Sequence, residues 1–162
     1  MDVKSKLVET LRAIDTLMVA TLTPAGGMHA RPMAVAEVDD DGALWFVTER
    51  ESGKADEVAL DQHAVATGQK KALFVSLSGE LDVIADHQRI RQLWREGWEV
   101  WFPNGPNDPG LVLLRLRPTI GEYWDERGSK GIATVFEAAR AFVHGERPED
   151  LGPLHHAKVS LV

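Results

Sequence analysis

Between Leu17 and Trp124, short runs of β-forming residues alternate with turn chemistry, a rhythm that admits little other than an antiparallel sheet. The run from Leu17 to Thr23 stops at Pro24-Ala25-Gly26-Gly27, and that from Met28 to Val38 stops at Asp39-Asp40-Asp41-Gly42. Ala43 to Thr48 then completes a meander. Ala64 to Thr67 leads to the turn Gly68-Gln69-Lys70-Lys71, followed by a long β-type stretch from Lys71 to Ala85. In it Val75, Leu77 and Leu81 alternate with Phe74, Ser76 and Ser78, and Gly79 marks a bulge or a close backbone approach. Leu111 to Arg117 and Thr119 to Trp124 read as two closing strands joined at Pro118.

Helical spacing frames this β region. Val3, Leu7, Leu11 and Ile14 predict an amphipathic helix over 3–14, and Ser52 can cap a second over 53–60. Asp86 caps a third to about Glu96, with Ile90, Leu93 and Trp94 on one side, and Ile132 to Val143 has the spacing of a fourth. Trp98 to Gly110 holds too many Pro and Gly residues for a regular element but carries heavy aromatics, as an ordered lid would. The expectation is a mainly β protein, a small β-barrel with peripheral helices, in one domain over 1–145 with a tail over 146–162.

Composition narrows the function. The 162 residues include no cysteine, which excludes disulfides, thiolate nucleophiles and thiolate metal sites and permits a reducing compartment. A net charge of −7 argues against nucleic acid or an anionic membrane as partner. No apolar run approaches a membrane span, so the expected location is the cytoplasm. The histidines show no zinc spacing, and Asp39-Asp40-Asp41-Gly42 lacks the ligand series of a calcium loop, so no metal is expected.

In so acidic a chain a local grouping of cations is informative. Arg31, beside Pro32 and Met33, and Lys54, in the cluster Ser52-Gly53-Lys54 after the strand Leu44-Trp45-Phe46-Val47-Thr48, offer a guanidinium, an ammonium and the hydroxyls of Thr48 and Ser52. On neighbouring elements these can converge on a phosphoryl group, Arg as a bidentate fork and Lys as a compact charge. Pro32 cannot donate to a sheet ladder, so its strand suits an edge where backbone groups stay free for a flat heterocycle. Each residue has a plainer role as well: Ser52 as a helix cap, Thr48 as a β-former, and Trp45, Trp94, Trp98 and Trp101 as core or subunit-contact side chains.

With these residues in place, the chain resembles the pyridoxamine 5′-phosphate oxidase-like, FMN-binding split-barrel superfamily, and within it the general stress protein 26 type. The resemblance rests on Arg31-Pro32-Met33, on Leu44 to Thr48 with Ser52-Gly53-Lys54, on Val75-Ser76-Leu77-Ser78-Gly79, on Trp101-Phe102-Pro103 with Asp108-Pro109, and on Glu122-Tyr123-Trp124-Asp125. It implies a six-stranded antiparallel split barrel that forms a homodimer, with FMN in the two clefts between subunits. It further implies that Arg31, Thr48, Ser52, Gly53 and Lys54 meet the phosphate. The flavin ring would lie along Arg31, Pro32, Met33 and Ala34 near Val47, with Gln69, Ser76 and the partner's Trp124 lining the cleft. A flavin-dependent oxidoreductase acting on a small molecule is the activity this implies, with no catalytic acid or base assignable. A non-catalytic flavin sensor or storage protein, a deazaflavin-dependent reductase and a haem-binding relative are the alternatives. Pyridoxamine phosphate oxidation itself is not implied, because no substrate-binding residues can be placed after Trp124.

Overall fold

The computed structural model describes residues 2–51, 53–125 and 155–161. It opens with helix α1 (Val3–Arg12), whose N-cap Asp2 accepts a 2.9 Å hydrogen bond from the Ser5 amide. Leu7 and Leu11 are fully buried along its inner stripe, whereas Val3, predicted on that stripe, is exposed at the fraying first turn. Eight strands follow among the described residues: β1 (Thr16–Leu22), β2 (Met28–Ala34), β3 (Glu37–Val38), β4 (Leu44–Glu49), β5 (His63–Lys70), β6 (Leu73–Ile84), β7 (Leu111–Asp125) and β8 (His155–Ser160). Helix α2 (Lys54–Leu60) leads into β5, and α3 (His87–Leu93), capped by Asp86, follows β6.

All strand pairs are antiparallel, in the order β2-β1-β5-β6-β7-β4-β3, with β8 added to β7. The sheet curls, so that Val19 of β1, Met33 of β2 and Phe46 of β4 share one interior with Leu77 of β6 and Leu7 and Leu11 of α1. This is the expected split-barrel architecture, with a strand count that differs slightly from six. Of the predicted helices, the one over 132–143 lies outside the described residues.

Two features of the strand reading are corrected, besides the inclusion of the expected turn residues Gly68, Gln69 and Lys70 in β5 and the break of the run from Met28 to Val38 at Val35 and Ala36. The segments joined at Pro118 form one 15-residue strand, β7. The register shifts between Ser78 and Gly79, with Gly79 opposite Pro118, so the proline sits where the ladder asks no amide of it. The predicted close approach at Gly79 is there: a Cβ would lie 2.2 Å from the Arg117 carbonyl oxygen. Secondly, the end of the supposed tail is a strand. β4 covers only Leu111 to Leu116 of β7, which leaves the edge from Ile120 to Asp125 for β8. Ala157 and Leu161 pack against the interior from there.

A second apolar cluster lies on the other face of β4 and β7. Trp45, Val47, Leu111 and Leu113 meet Ile90 of α3, and Trp94, Trp98 and Phe102 close over them. Thus β4 is buried on both faces, which explains its unbroken Leu-Trp-Phe-Val run.

Because the atoms crowding Gly79 are backbone atoms that cannot swing aside, Gly79→Ala should cost about 1–3 kcal/mol or more, seen as a lowered Tm.

Candidate functional site

Order in the sheet makes β2 an edge strand, and its residues alternate. Met33 is buried and Arg31 mostly so on the inner face, while Pro32 and Ala34 lie exposed on the outer one. The chain leaves β2 through Val35, whose amide donates to the Asp15 carbonyl, and Ala36, whose amide donates 2.8 Å to the Trp45 carbonyl. These bonds bring the end of β2 beside β4.

Where the two strands meet there is a cleft of about 350 Å³. Pro32, Met33, Ala34, Val47 and Thr48, all predicted from the sequence, line it together with Thr16 and Glu49. The remaining wall comes from Trp98, Trp101 and Phe102. That wall is braced by its own contacts. Trp94 meets Trp98 edge-on at 5.7 Å and Phe102 at 6.0 Å, and the amides of Trp101 and Phe102 both donate to the Trp98 carbonyl at 2.9 Å. Glu99 ties the turn by accepting from Trp94 Nε1 and the Gly97 amide. Trp101 itself remains 74% exposed at the mouth. A narrow slot with proline, valine and aromatic walls suits a flat ring system, and its volume falls within the usual range of small-molecule sites.

Arg31 lies on the other face of β2, under α2. Its Nη2 donates to Glu57 in a close ion pair, to Thr21 Oγ1 at 3.1 Å, and shares a 3.1 Å contact with His29 Nδ1. Thr21 in turn donates to Glu57 at 2.5 Å. Burial by itself would raise the pKa of Glu57, but the hydrogen bonds from Thr21 and Arg31 and the guanidinium charge outweigh it and hold the carboxyl below its ordinary value. The arrangement leaves one group unsatisfied: Arg31 Nε is buried with no hydrogen-bond partner. A buried orphan donor costs free energy, and an anion reaching this edge of the guanidinium would satisfy it.

Helix α2 starts at Lys54, one turn ahead of Glu57, with Gly53 as N-cap at φ 78°. A left-handed φ is open to glycine at little cost, which accounts for Gly53 between the strand and the helix. Ser52 lies outside the described residues.

Besides Arg31 and Gly53, three predicted residues do not line this cleft. Gln69, Ser76 and Trp124 stand on β5, β6 and β7, separated from β2 by β1. They share the outer face with Pro32: along the register Pro32 pairs with Met18, Met18 with Thr67, and Thr67 with Ser76, while Gln69 pairs with Phe74 and Phe74 with Trp124. This face exposes Met18 and Met28 and holds a second cleft of about 340 Å³ over Ala20, Leu22 and Val65. Sequence reading also missed part of the site. Trp98, Trp101 and Phe102 were placed in core or contact roles or in a lid, and their spacing around a single 3-10 turn, Trp98–Val100, was the available signal. Glu57 and Thr21 had none, because each is separated from Arg31 in sequence and joined to it only by the curl of the sheet.

The sequence model of the family described as pyridoxamine 5′-phosphate oxidase like matches residues 2–149. A protein of Jannaschia sp. CCS1 assigned to general stress protein 26 is 28% identical, with a TM-score of 0.69 and 96% of each chain covered. The general stress FMN/FAD binding protein of Xanthomonas citri is also 28% identical, with a TM-score of 0.65 over 78% of this chain and 90% of that one. Protein bli-3 of Neurospora crassa is 25% identical over 119 residues, 67% of this chain, which spans 57% of the length of that relative.

The lowered pKa of Glu57 carries a pH dependence. A carboxylate stabilised in the folded state contributes stability above its unfolded pKa and loses it as pH falls through the folded one. Glu57→Gln should therefore be less stable than the parent at neutral pH, by about 3 kcal/mol, the scale of an uncompensated buried charge. The two unfolding free energies should converge below the ordinary carboxylate range, as urea titrations at a series of pH values would reveal.

Proposed function

The chain belongs to the pyridoxamine 5′-phosphate oxidase-like family, and on that premise we propose that it is a flavoprotein holding FMN without a covalent bond, and that it works as an oxidoreductase on a small molecule. The observation that carries this reading is the cleft between β2 and β4, walled by Pro32, Val47 and the aromatic side chains, with Arg31 and its orphan Nε on the opposite face of the same strand. The isoalloxazine would lie along Pro32, Met33 and Ala34 beside Val47, and the phosphate would meet Arg31, Thr48, Ser52, Gly53 and Lys54. The name of the Xanthomonas citri relative supports a flavin, and FMN is the one whose single phosphate suits so compact a cation group.

When bound, flavin supplies the electron or hydride chemistry. The chain binds and orients. Trp98 and Phe102, braced by Trp94, keep water from one side of the slot, and Thr16 and Thr48 offer hydroxyls at its walls. Among the described residues lining the cleft, Glu49 is the one ionisable side chain. That scarcity favours a second reading, a flavin-binding sensor or storage protein for stress conditions without turnover. Anaerobic reduction by NADH or NADPH, followed by reoxidation with candidate acceptors, separates the two: cycling supports the enzyme and a flavin that never cycles supports the sensor.

A homodimer completes the proposal. Met18, Met28 and Ile120 are 43%, 69% and 40% exposed on the outer face. Pairing two such faces would cover this apolar surface and bring Gln69, Ser76 and Trp124 of one subunit toward the cleft of the other. The proposed setting is the cytoplasm. Among the described residues no helix is long and apolar enough to cross a membrane.

The purified protein should be yellow, and the chromophore released from the dimer-sized species should be FMN; a deazaflavin in its place would move the assignment to a deazaflavin-dependent reductase. Arg31→Ala and Lys54→Ala should each weaken FMN binding by about 1.5–3 kcal/mol while the barrel stays folded, and riboflavin should bind the parent less well than FMN. Unchanged FMN titrations in both variants would reject the site.

A further inference from the structure

Arg31 is the cation at the centre of the proposed phosphate site, yet its charge is already matched. Glu57 reaches it from α2, and the two side chains are 13% and 12% exposed, so little solvent screens them. The contacts are also lopsided. Glu57, Thr21 and His29 all meet Nη2, while Nε is buried without a partner. A guanidinium carries its donors in a rigid planar fork in which Nε–H and one Nη2–H share an edge, so the unpaired donor lies beside the nitrogen that the resident carboxylate holds.

From this arrangement we infer that Glu57 is a specificity-determining residue, a built-in counter-anion that holds down the affinity of the Arg31 site for phosphate. The inference rests on the flavin reading and goes beyond it, since that reading asks of the chain only cations and hydroxyls. A phosphomonoester brings roughly −1.5 to −2 charge to a guanidinium whose charge Glu57 already balances. Attraction to Arg31 is offset by repulsion from the carboxylate, and in a site this poorly screened both act at nearly full strength. Thr21 sharpens the effect: its 2.5 Å hydrogen bond to Glu57 keeps the carboxylate on the guanidinium. The helix that carries Glu57 is short, with 7 residues, and Val58 is its buried apolar contact with the interior. The pair therefore ties α2 to β2, and an anion that takes over Arg31 acts on the helix as well. The consequence is selectivity by charge. The ring end contributes affinity whether or not a phosphate is present, and Glu57 limits how much the phosphate adds.

The ratio of riboflavin to FMN dissociation constants isolates the phosphate contribution, because a merely structural role for Glu57 would move both ligands together. In Glu57→Gln, which keeps the size of the side chain and an oxygen for Arg31, the ratio should rise by about tenfold or more, through tighter FMN binding with riboflavin little changed. Glu57→Asp, which keeps the charge but draws it back by one methylene, should fall between parent and Gln variant. A ratio that stays the same or falls in Glu57→Gln overturns the inference. A flavin-free measurement runs alongside: inorganic phosphate should raise the Tm of Glu57→Gln more than that of the parent, because the phosphate would replace the missing counter-anion. Equal shifts count against the inference. If neither protein binds flavin, the cofactor reading fails, and the phosphate titration still decides the role of Glu57.

Discussion

One long strand carries the architecture. β7 pairs along its length with β6, gives the opposite edge of its first half to β4 and that of its second half to β8. A 15-residue strand cannot serve partners in such different directions while straight, and the bulge at Gly79 and Pro118 is where it turns. The glycine is required there because backbone occupies the space of any side chain. Everything placed by β4, including one wall of the cleft, depends on that bend.

The two apolar clusters are the second consequence. The inner one, closed by α1, holds the curl of the sheet; the outer one, closed by α3 and the aromatic turn, fixes the wall of the slot. Trp98 and Phe102 belong to the packing of the outer cluster and line the cleft as well. A side chain serving both purposes is hard to move, so the slot is pre-organised at no separate cost in ordering. On the other side of β2 the same curl buries Arg31 against Glu57, which keeps this charged pair out of the lining of the slot.

Much of this was readable beforehand, for local reasons. Alternation along β6, the capping aspartate before α3, and the bulge glycine are each set by a few neighbouring residues. Pro32, Met33, Ala34, Val47 and Thr48 were found because two adjacent hairpins carry them, and hairpins keep sequence neighbours together. Gln69, Ser76 and Trp124 were assigned to the same cleft, but intervening strands keep them from it within one subunit. Strand β8 was read as tail because an edge strand pairs wherever an edge stands open, and no local pattern announces the vacancy. The aromatic wall was visible as composition, although its direction was not.

By itself, then, the amino-acid sequence determined most of the strands, the turns at Pro24 to Gly27 and Asp39 to Gly42, and that one strand carries proline and arginine side by side. Those properties depend on propensity and period, which act over a few residues. Strand alternation already put Pro32 and Arg31 on opposite faces of β2; only the tertiary structure decided which face turns inward, that three aromatic side chains close the slot, and that Glu57 sits on the guanidinium. These depend on how far the sheet curls and on which helix lies over it, and both are set by burial of apolar surface across the whole chain.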